Sequence, residues 1–264
     1  MKKNQNPVVQ EVIEKFDTVY IMTKSFVENR YSALKGLLIS GDAGTGKTHF
    51  VKKAFIDTET TEDVQYVKGA SISAAALYVM LYMYREEGKV VVLDDVDITN
   101  KQPGERNAIL DMLKGATEVT KGERNISWIK AQANPLMVQN EVPTSFNFEG
   151  SLIWITNETI DDIAKKCKNH WNAISSRFNQ VPVYLTTEQK LMYTLYLIEE
   201  IGMLGKECEG KEGGYSIKVQ NDTIDYIKEN WKNLKEVTPR LAIKIADIRS
   251  NHPTNWKVLI KNQL

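Results

Sequence analysis

The stretch that decides the fold is Leu37-Leu38-Ile39-Ser40-Gly41-Asp42-Ala43-Gly44-Thr45-Gly46-Lys47-Thr48. It begins as a short apolar run of the kind found in buried strands and continues as a glycine-rich loop. A helical pattern of apolar residues follows over Thr48–Ile56. Glycines let backbone amides turn inward, and the N-terminus of a helix adds a partial positive charge. The order strand, loop, helix therefore predicts a loop that binds phosphate groups.

Each residue of this loop, Gly41–Thr48, is a candidate nucleotide contact. In loops of this pattern the lysine reaches the β- and γ-phosphates of ATP, which is the role we expect of Lys47. The hydroxyl of the next residue ligates magnesium, which is the role we expect of Thr48. The loop thus predicts an ATP hydrolase that uses ATP and Mg²⁺.

The composition narrows the class of protein. Of the 264 residues, 42% are hydrophobic and 26% are charged, which is ordinary for a globular protein. Basic and acidic residues number 34 each, which excludes a large uniform basic field but leaves local patches open. No signal peptide and no apolar run of about 18 residues is present, so we expect no membrane contact. Cys167 and Cys208 lack metal-ligand spacing and indicate reduced thiols in a cytoplasmic protein.

Four further apolar runs predict strands. They are Val64–Val67, Val90–Leu93, Leu152–Thr156 and Val181–Leu185, the last at an edge because it contains a proline. Helical patterns alternate with them, over Val8 to about Arg30, Ala74–Glu87 and Asn107–Lys114. The alternation predicts an α/β fold with a five-stranded parallel sheet flanked by helices.

After Leu185 the pattern is helical throughout. Thr186 and Gln189 form a capping box, and further helices are expected at about Asn221–Leu234 and Thr238–Ser250, beyond a loop at Gly205–Gly214. We therefore expect an α/β domain over residues 1–185 and a helical lid over residues 186–264. Within the first, residues 118–150 contain two strand-like pieces that predict an inserted β-hairpin.

Acidic and amide side chains follow two of the predicted strands. Asp94 and Asp95 end the third strand, and a parallel sheet places its carboxyl end beside the phosphate loop. We expect Asp94 to hold Mg²⁺ through water and Asp95 to orient or deprotonate the attacking water, with Asp97 as the other candidate base. Asn157 ends the next strand, where it is either an ordinary turn residue or holds the water and γ-phosphate.

Two arginines complete the candidate site. Arg177 stands where a helix ends and the fifth strand begins, so it either complements the helix dipole or acts on a neighbouring subunit's nucleotide. Arg240 lies in the first turn of a helix capped by Thr238, where a cation is disfavoured. A bound phosphate would resolve that conflict, so we expect Arg240 to face the nucleotide.

The order of these motifs, with a helical lid, resembles the AAA+ ATPase family over about Leu37 to Ile248. In that family the motifs are called Walker A, Walker B, sensor 1, arginine finger and sensor 2, and they correspond here to Gly41–Thr48, Val90–Asp95, Asn157, Arg177 and Arg240. The resemblance implies a homo-oligomer, a ring or spiral with six subunits as the expected number, in which Arg177 acts in trans.

A narrower resemblance concerns Trp128, Pro143–Gly150 and His170–Arg177, which are similar to AAA+ ATPases encoded by tailed bacteriophages. If the chain is phage-encoded, it works in the host cytoplasm. One position departs from the AAA+ pattern, because Walker B usually ends in Asp-Glu and Asp95 is one methylene shorter than glutamate. Slow hydrolysis is one expected consequence.

The resemblance leaves three functions open. The first is remodelling of a nucleoprotein complex in DNA replication or recombination. The second is a protein-directed remodeller or unfoldase, since an inserted hairpin also occurs in AAA+ branches that thread polypeptides. The third is a nucleotide-gated switch with negligible turnover, which the short side chain of Asp95 keeps open.

Overall fold

A computed structural model describes residues 4–28, 33–69, 71–120, 122–129, 134–206, 208 and 211–263. The expected helix end at Arg30 and parts of the segments 118–150 and 205–214 lie outside these residues. The chain divides into two compact units. We call them the sheet unit, Phe16–Gly41 with Lys47–Val183, and the helical unit, Met1–Lys15 with Asp42–Gly46 and Tyr184–Leu264. The helical unit thus contains part of the phosphate loop in addition to the C-terminal helices.

The described residues contain seven strands and eleven α-helices. The strands are β1 Gly36–Gly41, β2 Val64–Lys68, β3 Val90–Asp94, β4 Asn125–Ser127, β5 Ser145–Asn147, β6 Ser151–Thr156 and β7 Phe178–Val183. The helices are α1 Pro7–Glu28, α2 Lys47–Asp57, α3 Ala74–Met83, α4 Pro103–Ala116, α5 Pro135–Gln139, α6 Ile160–Lys166, α7 Lys168–Arg177, α8 Thr187–Glu199, α9 Ile217–Asn230, α10 Pro239–Asn251 and α11 Trp256–Gln263.

Five strands form one parallel sheet in the order β2-β3-β6-β1-β7. This confirms the expected fold class. Every residue of β1, β3 and β6 is buried, as the continuous apolar runs predict for strands covered on both faces. The strand β7 lies at an edge, where Pro182 costs no ladder hydrogen bond on the open side. It begins at Phe178, three residues earlier than expected, because the chain passes from α7 into the strand without a loop.

The register of the sheet decides which loops come together. Ser40 of β1 pairs with Thr156 of β6, and Asp94 of β3 pairs with Ile155 of β6. The residues that follow these three strands therefore start at one edge of the sheet, which we call the carboxyl edge. At the opposite end Phe178 pairs with Gly36, so residue 177 lies at the amino edge.

The strands of the inserted segment, β4 and β5, pair antiparallel, and the short helix α5 lies in their connection. The aromatic ring of Tyr78 on α3 packs against Trp128 and Phe146 at centroid distances of 5.5 and 5.0 Å. The buried guanidinium of Arg124 donates to the carbonyl oxygens of Glu118 and Ala33 at 2.6 and 2.9 Å. The insert is thus anchored to the sheet unit by both apolar and polar contacts.

The helical unit has its own apolar core. The capping box is confirmed, with the Thr186 side chain accepting from the Gln189 amide. Thr238 caps α10 as expected, accepting from the Leu241 amide at 3.3 Å. Helix α9 begins at Ile217, four residues before the expected start, because Ser216 supplies its cap. Helix α11 was not predicted; its Trp256 and Ile260 are buried against the other helices of the unit.

Two helices of the sheet unit also differ from expectation. Helix α3 ends at Met83, four residues early, and the chain then turns at Gly88 with a positive φ of 88°. Helix α4 begins at Pro103, where proline fits the first turn. No helix among the described residues is long and apolar enough to cross a membrane.

Candidate functional site

The phosphate loop leaves β1 at a glycine that the packing requires. Gly41 has φ of 155°, and a Cβ at this position would lie 2.1 Å from the Val183 carbonyl oxygen. Any larger residue would clash with the backbone of β7. Gly44 and Gly46 also have positive φ, 71° and 117°, which side-chain-bearing residues seldom adopt. The glycines of the motif are therefore used to form the loop backbone.

Lys47 begins α2 and lies at the carboxyl edge, 5% exposed. Its Nζ donates to the Gly41 carbonyl oxygen at 2.8 Å and to Asn157 Oδ1 at 3.0 Å. A buried ammonium needs such partners, because desolvation without them is costly. Both of these partners are neutral oxygens at the carboxyl edge, so they hold the Lys47 ammonium there.

Asn157 connects the lysine to the candidate base. Its Nδ2 donates to Asp95 Oδ1 at 2.8 Å, while its Oδ1 accepts from Lys47. The strand order explains this contact, because β6, which Asn157 follows, lies between β3, which Asp95 follows, and β1, which leads into the loop before Lys47. The three side chains form a continuous hydrogen-bonded row along the carboxyl edge.

The backbone turns sharply at Asp95. Its φ is 55°, in the left-handed region, and its amide donates to the Ile155 carbonyl oxygen at 2.9 Å. Aspartate tolerates this conformation better than most residues. The strand has therefore ended at Asp94, and the exposed carboxylate of Asp95 turns toward Asn157.

Asp97, the other candidate base, makes a different set of contacts. Its Oδ1 accepts from the backbone amide and the side-chain amide of Asn100, at 3.2 and 3.0 Å. These bonds close a local turn. The geometry therefore joins Asp95, and not Asp97, to the row that contains Lys47.

Thr48 and Asp94 form a second pair at the same edge. The Thr48 hydroxyl lies 3.0 Å from both carboxylate oxygens of Asp94, which is 3% exposed. Hydroxyl and carboxylate oxygens are the donors that Mg²⁺ prefers, and Mg²⁺ commonly takes one or two carboxylates and completes its shell with water and phosphate. No group of three or more His, Cys, Asp or Glu side chains placed to hold a metal occurs among the described residues. The pair therefore fits a magnesium ion that arrives with a nucleotide.

Within the helical unit, the tip of the phosphate loop lies against the start of α10. A Cβ on Gly44 would be 3.4 Å from both Arg240 Cβ and Thr238 Oγ1, and 3.7 Å from Arg240 Nε. Arg240 is exposed and makes no hydrogen bond or ion pair with the residues that the structure describes. Its guanidinium is thus available beside the loop.

Arg177 is placed differently. It ends α7 at the amino edge of the sheet, and its Nε and Nη2 lie 3.0 and 2.5 Å from Glu118 Oε2. Its Nη1 donates to the Ala173 carbonyl oxygen at 3.0 Å. The hydrogen bond from Arg177 is the main cause that lowers the pKa of Glu118 below its usual value. A strand rises about 3.3 Å per residue, so the length of β7 separates Arg177 from the carboxyl edge by roughly 17 Å.

The structure therefore brings five of the predicted residues together in the sheet unit. They are Lys47, Thr48, Asp94, Asp95 and Asn157. Arg240 lies beside Gly44 in the helical unit, and Arg177 joins neither group. Sequence reasoning missed Glu118 and Lys190, the second of which pairs with Asp42 of the loop at 3.2 Å. Neither residue belongs to a recognisable motif, because its role depends on an ion pair with a residue far away in the sequence.

Comparison with known proteins gives a distant relative. No protein-family model matches the chain. An "uncharacterized 36.7 kDa protein in nrdC-mobD intergenic region" of enterobacteria phage T4 is 26% identical over an alignment of 264 residues, gaps included, that covers 97% of this chain and 75% of that protein. The chain is therefore similar to a phage protein along nearly its whole length.

Three solved structures illustrate the structural similarity. The RuvB Holliday junction branch migration motor of Thermotoga maritima is 14% identical, with 89% of this chain and 67% of that chain covered and a TM-score of 0.40. NtrX from Brucella abortus in complex with ATP is 12% identical, with 94% and 60% covered and a TM-score of 0.45. AMPPCP-bound DnaA from Aquifex aeolicus is 14% identical, with 90% and 69% covered and a TM-score of 0.43. With each TM-score below 0.5, the fold and the site rest on the geometry of this chain.

Proposed function

We propose that this chain is an ATP hydrolase of AAA+ type that binds ATP with Mg²⁺ at Gly41–Thr48. The observation that carries the proposal is the row from Lys47 through Asn157 to Asp95, next to the pair of Thr48 and Asp94. One edge of the parallel sheet thus has an ammonium that can bind phosphate, hydroxyl and carboxylate oxygens that can ligate magnesium, and a carboxylate that can activate water. This is the set of groups that phosphoryl transfer to water requires.

Each residue of the row has a separate task. The Lys47 ammonium would exchange the Gly41 carbonyl for phosphate oxygens and stabilise their charge. Asp95 would accept the proton of the attacking water, and Asn157 would hold that water in line by its amide. Thr48 and Asp94 would hold Mg²⁺, which neutralises charge on the phosphates when it is bound.

The test is the hydrolysis of ATP by the purified chain, measured as released phosphate. Lys47→Ala should abolish nucleotide binding and hydrolysis together. Asp95→Asn should retain ATP binding and lower kcat by about 10² to 10⁴, the usual contribution of a general base. Lys53→Ala, which removes an exposed ion pair on the same helix, is the matched control and should change neither. Hydrolysis that survives Lys47→Ala would exclude the proposed site.

We further propose that the active form is a ring or spiral, with six subunits as the expected number. The position of Arg177 supports it, since an arginine at the amino edge is too far from its own carboxyl edge to touch the nucleotide there. Mixing tests this idea sharply. Lys47→Ala and Arg177→Ala subunits, each inactive alone, should regain part of the activity when mixed. Mixtures that stay inactive, at concentrations where the native chain assembles, would contradict action in trans.

The partner is proposed from the AAA+ resemblance. We favour a nucleoprotein complex of DNA replication or recombination of phage type, handled in the cytoplasm of a host cell. Stimulation of ATP hydrolysis by DNA, with strong salt dependence, is the expected result. A protein-directed remodeller would be indifferent to DNA. A nucleotide-gated switch would show no phosphate release even in a single turnover of the native chain.

A further inference from the structure

We propose that Lys190 is a positioning residue that ties the phosphate loop to the turn carrying Arg240, so that Arg240 meets the terminal phosphate of ATP. This inference rests on the proposed function and adds a residue to it. All of its contacts lie within the helical unit.

The first contact joins Lys190 to the loop. Lys190 Nζ lies 3.2 Å from Asp42 Oδ2, and the lysine side chain is 14% exposed. The same Asp42 oxygen accepts from the Leu185 amide at 3.0 Å, and the Asp42 carbonyl oxygen accepts from Thr45 Oγ1 at 2.9 Å. The carboxylate of Asp42 is thus fixed between the loop and the residue that precedes the cap of α8.

The second contact joins Lys190 to the segment before α10. Lys190 also pairs with Glu236, which stands two residues before the cap residue Thr238. Between them Val237 is 1% exposed, so the chain between Glu236 and the helix has little freedom. A movement of Glu236 would therefore move the first turn of α10.

Arg240 itself lies next to the loop. Arg240 lies in that first turn, and its Cβ would be 3.4 Å from a Cβ on Gly44. Lys190 thus contacts the loop through the carboxylate of Asp42. Through the carboxylate of Glu236 it contacts the segment that leads into the turn with Arg240.

The charge balance points in the same direction. Burial lowers the pKa of Lys190, but its hydrogen bonds to Glu236 and Asp42 outweigh burial and raise it, so the lysine stays cationic. Asp42 places a negative charge in a loop that is to receive a polyphosphate. The ammonium of Lys190 offsets that charge. Without the ammonium, the carboxylates of Asp42 and Glu236 would repel each other and would also repel the phosphates of the nucleotide.

An isolated exposed ion pair contributes little, and the same unit offers one for comparison. Lys228 pairs with Glu199 at 2.6 Å, with both side chains well exposed. Lys190 differs because it is largely buried and bridges two carboxylates. Lys228→Met is therefore the matched control for Lys190→Met.

The experiment measures ATP and ADP affinities and the kinetic constants of the full chain. Lys190→Met should weaken ATP binding about tenfold, the scale of one charged hydrogen bond, with a smaller effect on ADP. Lys190→Arg should restore most of the ATP affinity, and Lys228→Met should change neither. Because Lys190 is proposed to act through Arg240, Lys190→Met should cost little further ATP affinity in an Arg240→Ala background.

Several outcomes would overturn the proposal. The first is an equal loss of affinity for ATP and for ADP in Lys190→Met. The second is a loss of ATP affinity in the Lys190→Met, Arg240→Ala double variant that equals the sum of the two single losses. The third is a Lys190→Met chain whose nucleotide affinities equal those of Lys228→Met. If Lys190→Met does not fold, as judged by circular dichroism, Glu236→Gln is measured in its place. It should weaken ATP binding about threefold and ADP binding less. An unchanged ATP affinity would overturn the proposal. Failure of the proposed function shows separately, as nucleotide binding that survives Lys47→Ala.

Discussion

The two candidate catalytic arginines have opposite environments. Arg177, in the sheet unit, uses all three guanidinium nitrogens within the chain, on Glu118 and the Ala173 carbonyl. Arg240, in the helical unit, is exposed and has no polar partner in the part of the chain that the structure describes. Both are expected to bind phosphate, but only Arg240 can do so without first giving up a bond.

Helix position explains part of this difference. Arg177 ends α7, where the helix dipole and a carboxylate both stabilise a cation. Arg240 is in the first turn of α10, where the dipole opposes a cation and a phosphate would relieve the conflict. The comparison shows that Arg240 has no polar contact to break within the described residues, whereas Arg177 would first have to release Glu118 to act in its proposed role.

Of the changes that test the comparison between the two arginines, Arg177→Ala should have the largest effect. If Arg177 acts on a neighbour's nucleotide, kcat should fall by about 10³ or more in steady-state assays of the assembled protein, because an arginine finger stabilises charge in the transition state. The affinity for ATP should change little. Lys168→Ala, at the exposed start of the same helix, is the control. An unchanged ATPase rate together with an unchanged oligomer size would show that Arg177 only complements its helix.

Arg240→Ala should have the next largest effect. Loss of one charged hydrogen bond to the terminal phosphate should weaken ATP binding about tenfold to a hundredfold and leave ADP binding less affected. Isothermal titration of both nucleotides measures it. Lys244→Ala removes an exposed cation one turn later and should have no effect. Equal weakening of ATP and ADP would place Arg240 away from the terminal phosphate.

Glu118→Gln should have a smaller effect of opposite sign. It removes the charge that holds Arg177, so ATPase activity at limiting protein concentration should rise, by up to about fivefold if the pair is worth at most about 1 kcal/mol. The same substitution in an Arg177→Ala chain should change nothing. A fall in activity would mean that Glu118 positions Arg177 for use and does not restrain it.

The smallest expected effect is that of Glu118→Gln on the free energy of unfolding and on its dependence on pH. Because the pKa of Glu118 is lowered in the folded protein, its ion pair contributes stability above the usual carboxyl pKa of about 4.3. That contribution is lost as the pH falls through the lowered folded pKa. In urea unfolding, the free-energy difference between the native chain and Glu118→Gln should be below about 1 kcal/mol near neutral pH and should shrink steadily as the solution is acidified below the usual carboxyl pKa. A difference that persists in acid would have another source than the charge of Glu118.

Much of the fold was predictable because it depends on local patterns. The apolar runs of β1, β3 and β6 and the cap residues Thr186 and Thr238 are local signals, and the structure confirms each. Helix α11 was not predictable in the same way. It has eight residues, and its stability comes from burial of Trp256 and Ile260 against other helices.

The sequence by itself determined the glycine-rich loop at Gly41–Thr48, because glycines, a lysine and a threonine at fixed spacing between a strand and a helix carry their own geometry. It also determined that Asp94, Asp95 and Asn157 lie at the carboxyl ends of strands of a parallel sheet. Only the tertiary structure decided how these residues meet. The strand order places β6 between β1 and β3, so Asn157, late in the chain, contacts both Lys47 and Asp95.

The tertiary structure alone also decided the state of the charged partners. Glu118 and Arg177 are 59 residues apart, and Lys190 is 46 residues from Glu236, so no local pattern could pair them. Ion pairs between distant residues depend on the packing of whole helices and strands. For that reason the sequence could name Arg177 and Arg240 as similar candidates, and only the structure could show that one is restrained and the other is not.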